Sequence, residues 1–69
     1  MPLTFAKVGE EKTIKKIQGK IEIQKFLENL GFISGNHITI IAEINGNVIV
    51  IIKETRVAIS KEMASKIYI

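Results

Sequence analysis

The chain has 69 residues, 46% of them hydrophobic, with no cysteine, no aspartate and a formal net charge of +3. That length holds one domain, residues 1–69, and the lack of thiols excludes disulfides and thiolate metal sites. Met1–Phe5 carries no charged leader, and the longest apolar run, Val48–Ile52, is far below the about 18 residues that span a bilayer; the expectation is a cytoplasmic protein with no direct membrane insertion.

Fifteen residues are Ile, a side chain stiff at χ1 that packs well on a pleated surface, so the composition leans towards β structure. Lys7–Glu11 reads as an opening turn, and Lys12–Ile17 as a first strand that Gly19 breaks. Ile23, Phe26, Leu27 and Leu30 then fall at i, i+3, i+4 and i+7, one apolar face of a helix. Gly31 follows where a left-handed residue ends a helix, while no Ser, Thr, Asp or Asn marks its start. Phe32–Asn36 is a second turn.

His37–Ile44 and Asn47–Lys53 are two runs rich in Ile and Val, joined by Asn45-Gly46. Asn-Gly in that position signals a hairpin, because a type I′ turn needs positive φ at both central residues. A uniform register pairs Ile44 with Asn47, Ala42 with Ile49 and Ile40 with Ile51, leaving Thr39–Ile52, Ile41–Val50 and Glu43–Val48 on the opposite face. Both faces are apolar, whereas a sheet solvated on one side alternates. The ribbon must curl into a barrel or meet another chain, with some of Ile40, Ile41, Ile49, Val50, Ile51 and Ile52 left at the surface. Arg56–Ile59 reads as a further strand, Ser60 as the N-cap of one helical turn through Glu62, Met63 and Ala64, and Lys66–Ile69 as the last strand. The fold class expected is mainly β: a small barrel of about five strands with one inserted α-helix and a short C-terminal helical turn.

Three stretches resemble the FeoA family. Met1-Pro2-Leu3 is similar to its opening. Leu27-Glu28-Asn29-Leu30-Gly31-Phe32-Ile33-Ser34-Gly35 resembles its central L-x-x-L-G-[apolar]-x-x-G signature. Arg56 to Ile67 resembles its closing R-[apolar]-A-[apolar]-x-x-E-x-A-x-x-I segment. The resemblance spans the whole chain. It implies an SH3-like barrel and an accessory role beside FeoB, the ferrous iron transporter with a cytoplasmic G domain. The chain departs from the family in Ser34, where relatives often have Pro, in the short Asn45-Gly46 connection, and in a helix bearing Lys25 and two Glu in place of Arg.

The residues offer little for chemistry. His37 is the only histidine, and Glu22 and Glu43 are its only candidate companions for a metal, where transition-metal sites need three or four placed ligands. No nucleophile elbow surrounds Ser34, Ser60 or Ser65, the Glu10-Glu11 pair sits in a turn, and the glycines match no phosphate loop. The expectation is a non-enzyme without cofactor or metal site. It works by docking on a FeoB-type transporter through Phe32, Ile33, Ile41, Ile49 and Arg56, or self-associates through the 38–53 hairpin. The rival readings are a nucleic-acid-binding barrel, suggested by the mild basicity, and a detached regulatory domain of a metal-dependent repressor of the diphtheria toxin repressor type. No basic cluster with interleaved aromatics supports nucleic acid as a partner.

Overall fold

The structure is a computed structural model describing residues 1–69. Six strands form a four-stranded and a two-stranded antiparallel sheet. β1 (Glu11–Thr13), β3 (His37–Ile44), β4 (Asn47–Ile52) and β5 (Thr55–Ser60) pair in the order β1-β3-β4-β5. β2 (Lys16–Ile17) pairs with β6 (Ile67–Tyr68). A 3₁₀ turn at Leu3–Phe5, helix α1 (Ile21–Asn29) and the single turn α2 (Lys61–Ala64) complete the chain.

The segment expected as one strand over Lys12–Ile17 is two. It pairs with β3 up to Thr13 and with β6 from Lys16, so it changes sheets at Ile14-Lys15. The backbone at the corner stays bonded: Ile14 donates to Asn36 at 2.9 Å, its carbonyl accepts from Gly35, and Lys15 donates to Tyr68. Ile14 is buried at this corner. Met1 and Ile69 exchange backbone hydrogen bonds of 2.9 and 2.8 Å, which lays the first residues beside the last strand.

The hairpin register departs from the expected one at a single place. Ile44–Asn47, Glu43–Val48 and Ala42–Ile49 pair as expected, but then Ile40 pairs with Val50, Thr39 with Ile51 and Ile38 with Ile52. The expected pairs Ile40–Ile51, Thr39–Ile52 and Ile41–Val50 do not form, because Ile41 is the extra residue of a β-bulge. The bulge turns Ile38 and Ile40 to the side of Val48, Val50 and Ile52, and all five are buried. A second two-residue turn, Lys53-Glu54, joins β4 to β5 with φ of 49° and 62°.

The core is one cluster of thirteen buried apolar side chains to which every part of the chain contributes, from Leu3 to Ile69. Helix α1 enters it through Leu27, fully buried, with Ile23 packed alongside. The expectation that Phe26 and Leu30 pack with it is corrected, since they are 49% and 36% exposed. A nine-residue helix covers a small barrel with one narrow stripe; Phe26 lies to the side of the Ile23–Leu27 stripe, and Leu30 is the C-cap residue just past the helix. The helix ends in a Schellman motif: Phe32 N–H donates to the Leu27 carbonyl at 3.0 Å and Gly31 N–H to Glu28 at 2.9 Å, with Gly31 at φ +105°. Phe32 and Leu27, the two residues this motif brings together, are both fully buried. The expected Ser60 cap forms, its hydroxyl accepting from Met63 N–H at 3.1 Å.

Burial separates two helix substitutions. Leu27→Ala should cost about 2–5 kcal/mol, against a total near 5 kcal/mol for a small domain, and leave the protein largely unfolded in urea titrations followed by circular dichroism. Leu30→Ala should cost about 1 kcal/mol and keep a cooperative transition; equal losses would contradict this placement of the helix.

The Lys53-Glu54 turn yields a second expectation. Non-glycine residues in the left-handed region each cost roughly 1–2 kcal/mol. The double substitution Lys53→Asn, Glu54→Gly should therefore stabilise by about 1 kcal/mol, a rise in Tm of about 4–8 °C by calorimetry; an unchanged or lower Tm would count against the strained turn.

Candidate functional site

The four-stranded sheet has a core face and an outer face, and the outer face is the candidate site. Cross-strand rows define it. Ala42, Ile49 and Ala58 stand opposite one another, and Glu11, Thr39, Ile51 and Arg56 form a row across all four strands. Ile49, Ala42 and the bulged Ile41 are half-buried, Ile51 is 39% exposed, and Ala58 and Arg56 are exposed. None of these six packs against the core cluster. At one end a cleft of about 360 Å³ runs between the Gly35–His37 turn and the Lys53-Glu54 turn, with Glu11, Thr39 and Ile51 on its floor and walls.

Of the five residues expected to meet a partner, this face gathers three: Ile41, Ile49 and Arg56. Phe32 is corrected. Its side chain is fully buried beneath the helix terminus, so it holds the helix in place and is out of a partner's reach. Ile33 is 43% exposed but lines a different cleft, with Lys15, Lys16, Gln24 and Glu28. Ile40, Val50 and Ile52 belong to the core. Ala58, at the centre of β5, belongs to the face and was not expected there; the alternation of Arg56 and Ala58 with Val57 and Ile59 carries that information once the strand is known.

The polar chemistry of the face is sparse. His37 Nδ1 lies 3.3 Å from Thr13 Oγ1, and both side chains are exposed. No group of three His or acidic side chains gathers to hold a metal ion, and His37, Glu22 and Glu43 do not converge. The one ion pair of the chain joins Lys61 Nζ to Glu43 Oε1 at 3.6 Å, between two exposed side chains, which contributes about 0–1 kcal/mol. Arg56 therefore presents an unpaired guanidinium.

The profile of the FeoA domain matches residues 1–69. A relative from Methanocaldococcus jannaschii, named "Putative Fe(2+) transport protein A", is 37% identical over 68 residues, covering 99% of this chain and 83% of its own. The chain belongs to the FeoA family. Its members are small accessory proteins of ferrous iron transport, not a known family of enzymes. FeoA of Stenotrophomonas maltophilia, solved in complex with zinc and described as an SH3 domain protein, superposes with a TM-score of 0.86 at 20% identity, over 99% of this chain and 87% of that one. A manganese-dependent transcriptional repressor superposes at 0.89 and 18% identity, matching 100% of this chain and 40% of the repressor. At such identities the likeness is one of fold, and the fold is SH3-like. No helix is long and apolar enough to cross a membrane.

With no convergent ligand set, anaerobic calorimetric titration with Fe²⁺ or Zn²⁺ should give no one-to-one isotherm in the micromolar range. Such an isotherm, abolished by His37→Ala, would show a metal site that the geometry of these side chains does not provide.

Proposed function

We propose that this FeoA chain is a cytoplasmic adaptor of ferrous iron uptake that docks on a FeoB-type transporter through the outer face of its four-stranded sheet and modulates it without covalent chemistry. The observation that carries the reading is the face itself. Ile41, Ile49 and Ile51 form an apolar centre that the core does not use, bordered by the unpaired cation Arg56. Apolar area left outside a core marks an interaction surface, and the family's association with ferrous iron transport supports a transporter as what it meets. The SH3-like fold shared with the repressor supports a second reading, a detached regulatory domain. Binding to nucleic acid in either role would fall steeply with salt through counterion release, whereas apolar docking would not.

The test is binding to the detergent-solubilised transporter by surface plasmon resonance. Ile49→Lys and Ile41→Lys should fold, by circular dichroism, and bind at least about tenfold more weakly, the equivalent of about 1.4 kcal/mol. Folded variants that bind like the wild type would place the docking surface elsewhere.

A further inference from the structure

β5 pairs with β4 along its whole length, whereas β1 covers β3 only at His37–Thr39, and Ile41–Ile44 have no strand on their other side. The longest open edge is that of β5, six residues. Its hydrogen-bond phase follows from the two-residue turn at Lys53-Glu54, which makes Ile52–Thr55 a bonded pair, and then Val50–Val57 and Val48–Ile59. Lys61 N–H donating to the Gly46 carbonyl at 3.0 Å confirms the same phase at the other end. The backbone N–H and C=O groups of Arg56 and Ala58 therefore point away from β4. None of the turn, loop or side-chain hydrogen bonds uses them, and both residues are exposed.

We propose that this edge accepts an extended, acid-bearing segment of the protein partner as an added antiparallel strand. The proposal rests on the docking reading and names what docks. Strand addition satisfies the unpaired backbone groups and takes its specificity from alternate side chains. The position opposite Arg56 stands on the outer face, about 5 Å away between Cβ atoms. A carboxylate there meets a guanidinium that has no partner in the chain, in the geometry that favours bidentate pairing. Its neighbour along the added strand faces the half-buried Val57 and calls for a β-branched residue. The next stands beside the Ala58 methyl, with Ile49 behind it, where a large apolar side chain has room.

A second copy fits this edge poorly. Thr55–Ser60 contains no acidic residue, so no antiparallel self-pairing of β5 sets a carboxylate opposite Arg56, and each copy carries a charge of +3. The opposite edge, β1, does bear Glu11 at the far end of the Arg56 row, but it spans only Glu11–Thr13 against six residues of β5.

The experiment follows amide hydrogen exchange and affinity together, using the purified cytoplasmic region of the transporter as the probe. On binding, the amides of Arg56 and Ala58 should slow at least about tenfold. Ala58→Pro removes only an outward-facing N–H, as edge strands tolerate, and should weaken binding by about tenfold or more, while Ala58→Ser, which keeps both the N–H and a small side chain, should weaken it far less. Arg56→Glu should weaken binding in the same way and guards against an Ala58→Pro chain that fails to fold. A wild-type chain that does not bind at all overturns the docking reading and this inference with it. Binding that survives Ala58→Pro and Arg56→Glu, with both edge amides still exchanging freely, overturns strand addition alone. Concentration-dependent self-association in sedimentation, lost in both Ala58→Pro and Glu11→Lys, would overturn the acidic segment in favour of a second copy.

Discussion

The β-bulge at Ile41 sets the phase of the sheet, and the core depends on that phase. Side chains alternate with a period of two, so a strand without the bulge would set Ile38 and Ile40 on the face of Ile49 and Ile51, away from Val48, Val50 and Ile52. One extra residue between Ile40 and Ala42 restores the match, and all five side chains are buried on one face. The same bulge leaves Ala42 opposite Ile49 on the other face, so core and candidate docking surface are set by one local irregularity. A bulge also adds twist and bend to its strand, which suits a small barrel.

The second constraint is that two sheets must meet without leaving backbone groups unpaired. The corner at Ile14-Lys15 meets it by borrowing partners from the turn after α1 and from β6. Ser34 Oγ donates to the Lys15 carbonyl at 2.8 Å, and the Asn36 side-chain amide donates to the Gly31 carbonyl at 2.9 Å. The turn that ends the helix therefore also closes the corner. Gly31 could not be replaced cheaply, because its φ of +105° disfavours any side chain although the nearest atoms, on Ile52, leave ordinary contact room at 3.9 Å. Ser34, a departure from the family's frequent Pro, takes part in this closure through its hydroxyl.

The elements with strong local signals were legible in the sequence. Gly31 ended the helix, Asn45-Gly46 turned the hairpin, and Ser60 capped α2, each because one residue carries the needed conformation or hydrogen bond. What escaped depends on tertiary context. The bulge has no residue signature, since Ile41 looks like its neighbours. Lys53-Glu54 adopts positive φ against its own preference because β4 and β5 pair on either side of it. Phe26 and Leu30 obeyed helical periodicity yet stayed half exposed, because the barrel offers only a narrow seat. At the candidate site, the two-faced ribbon and the lone arginine singled out Ile41, Ile49 and Arg56, but a uniform register sets Ile41 and Ile49 on opposite faces, and only the bulge changes that. Phe32 was misplaced because it adjoins an exposed turn while pointing inwards.

A chain this short has little room to separate folding from binding, and the alternation along β4 does it residue by residue. Val48, Val50 and Ile52 hold the core, while Asn47, Ile49 and Ile51 project from the outer face. Substitution at the first set spends stability that a small domain lacks; substitution at the second leaves the core intact. The free edge of β5 extends this division to the backbone, because Thr55, Val57 and Ile59 bond inwards to β4 while Arg56 and Ala58 face outwards. Open edges invite unwanted pairing, and charge on the edge is the usual safeguard. Arg56 fills that role against indiscriminate apolar strands, and the same charge favours a strand that brings a carboxylate. One residue thereby rejects most extended chains and selects a few, so the specificity of the edge and its protection have a single physical source.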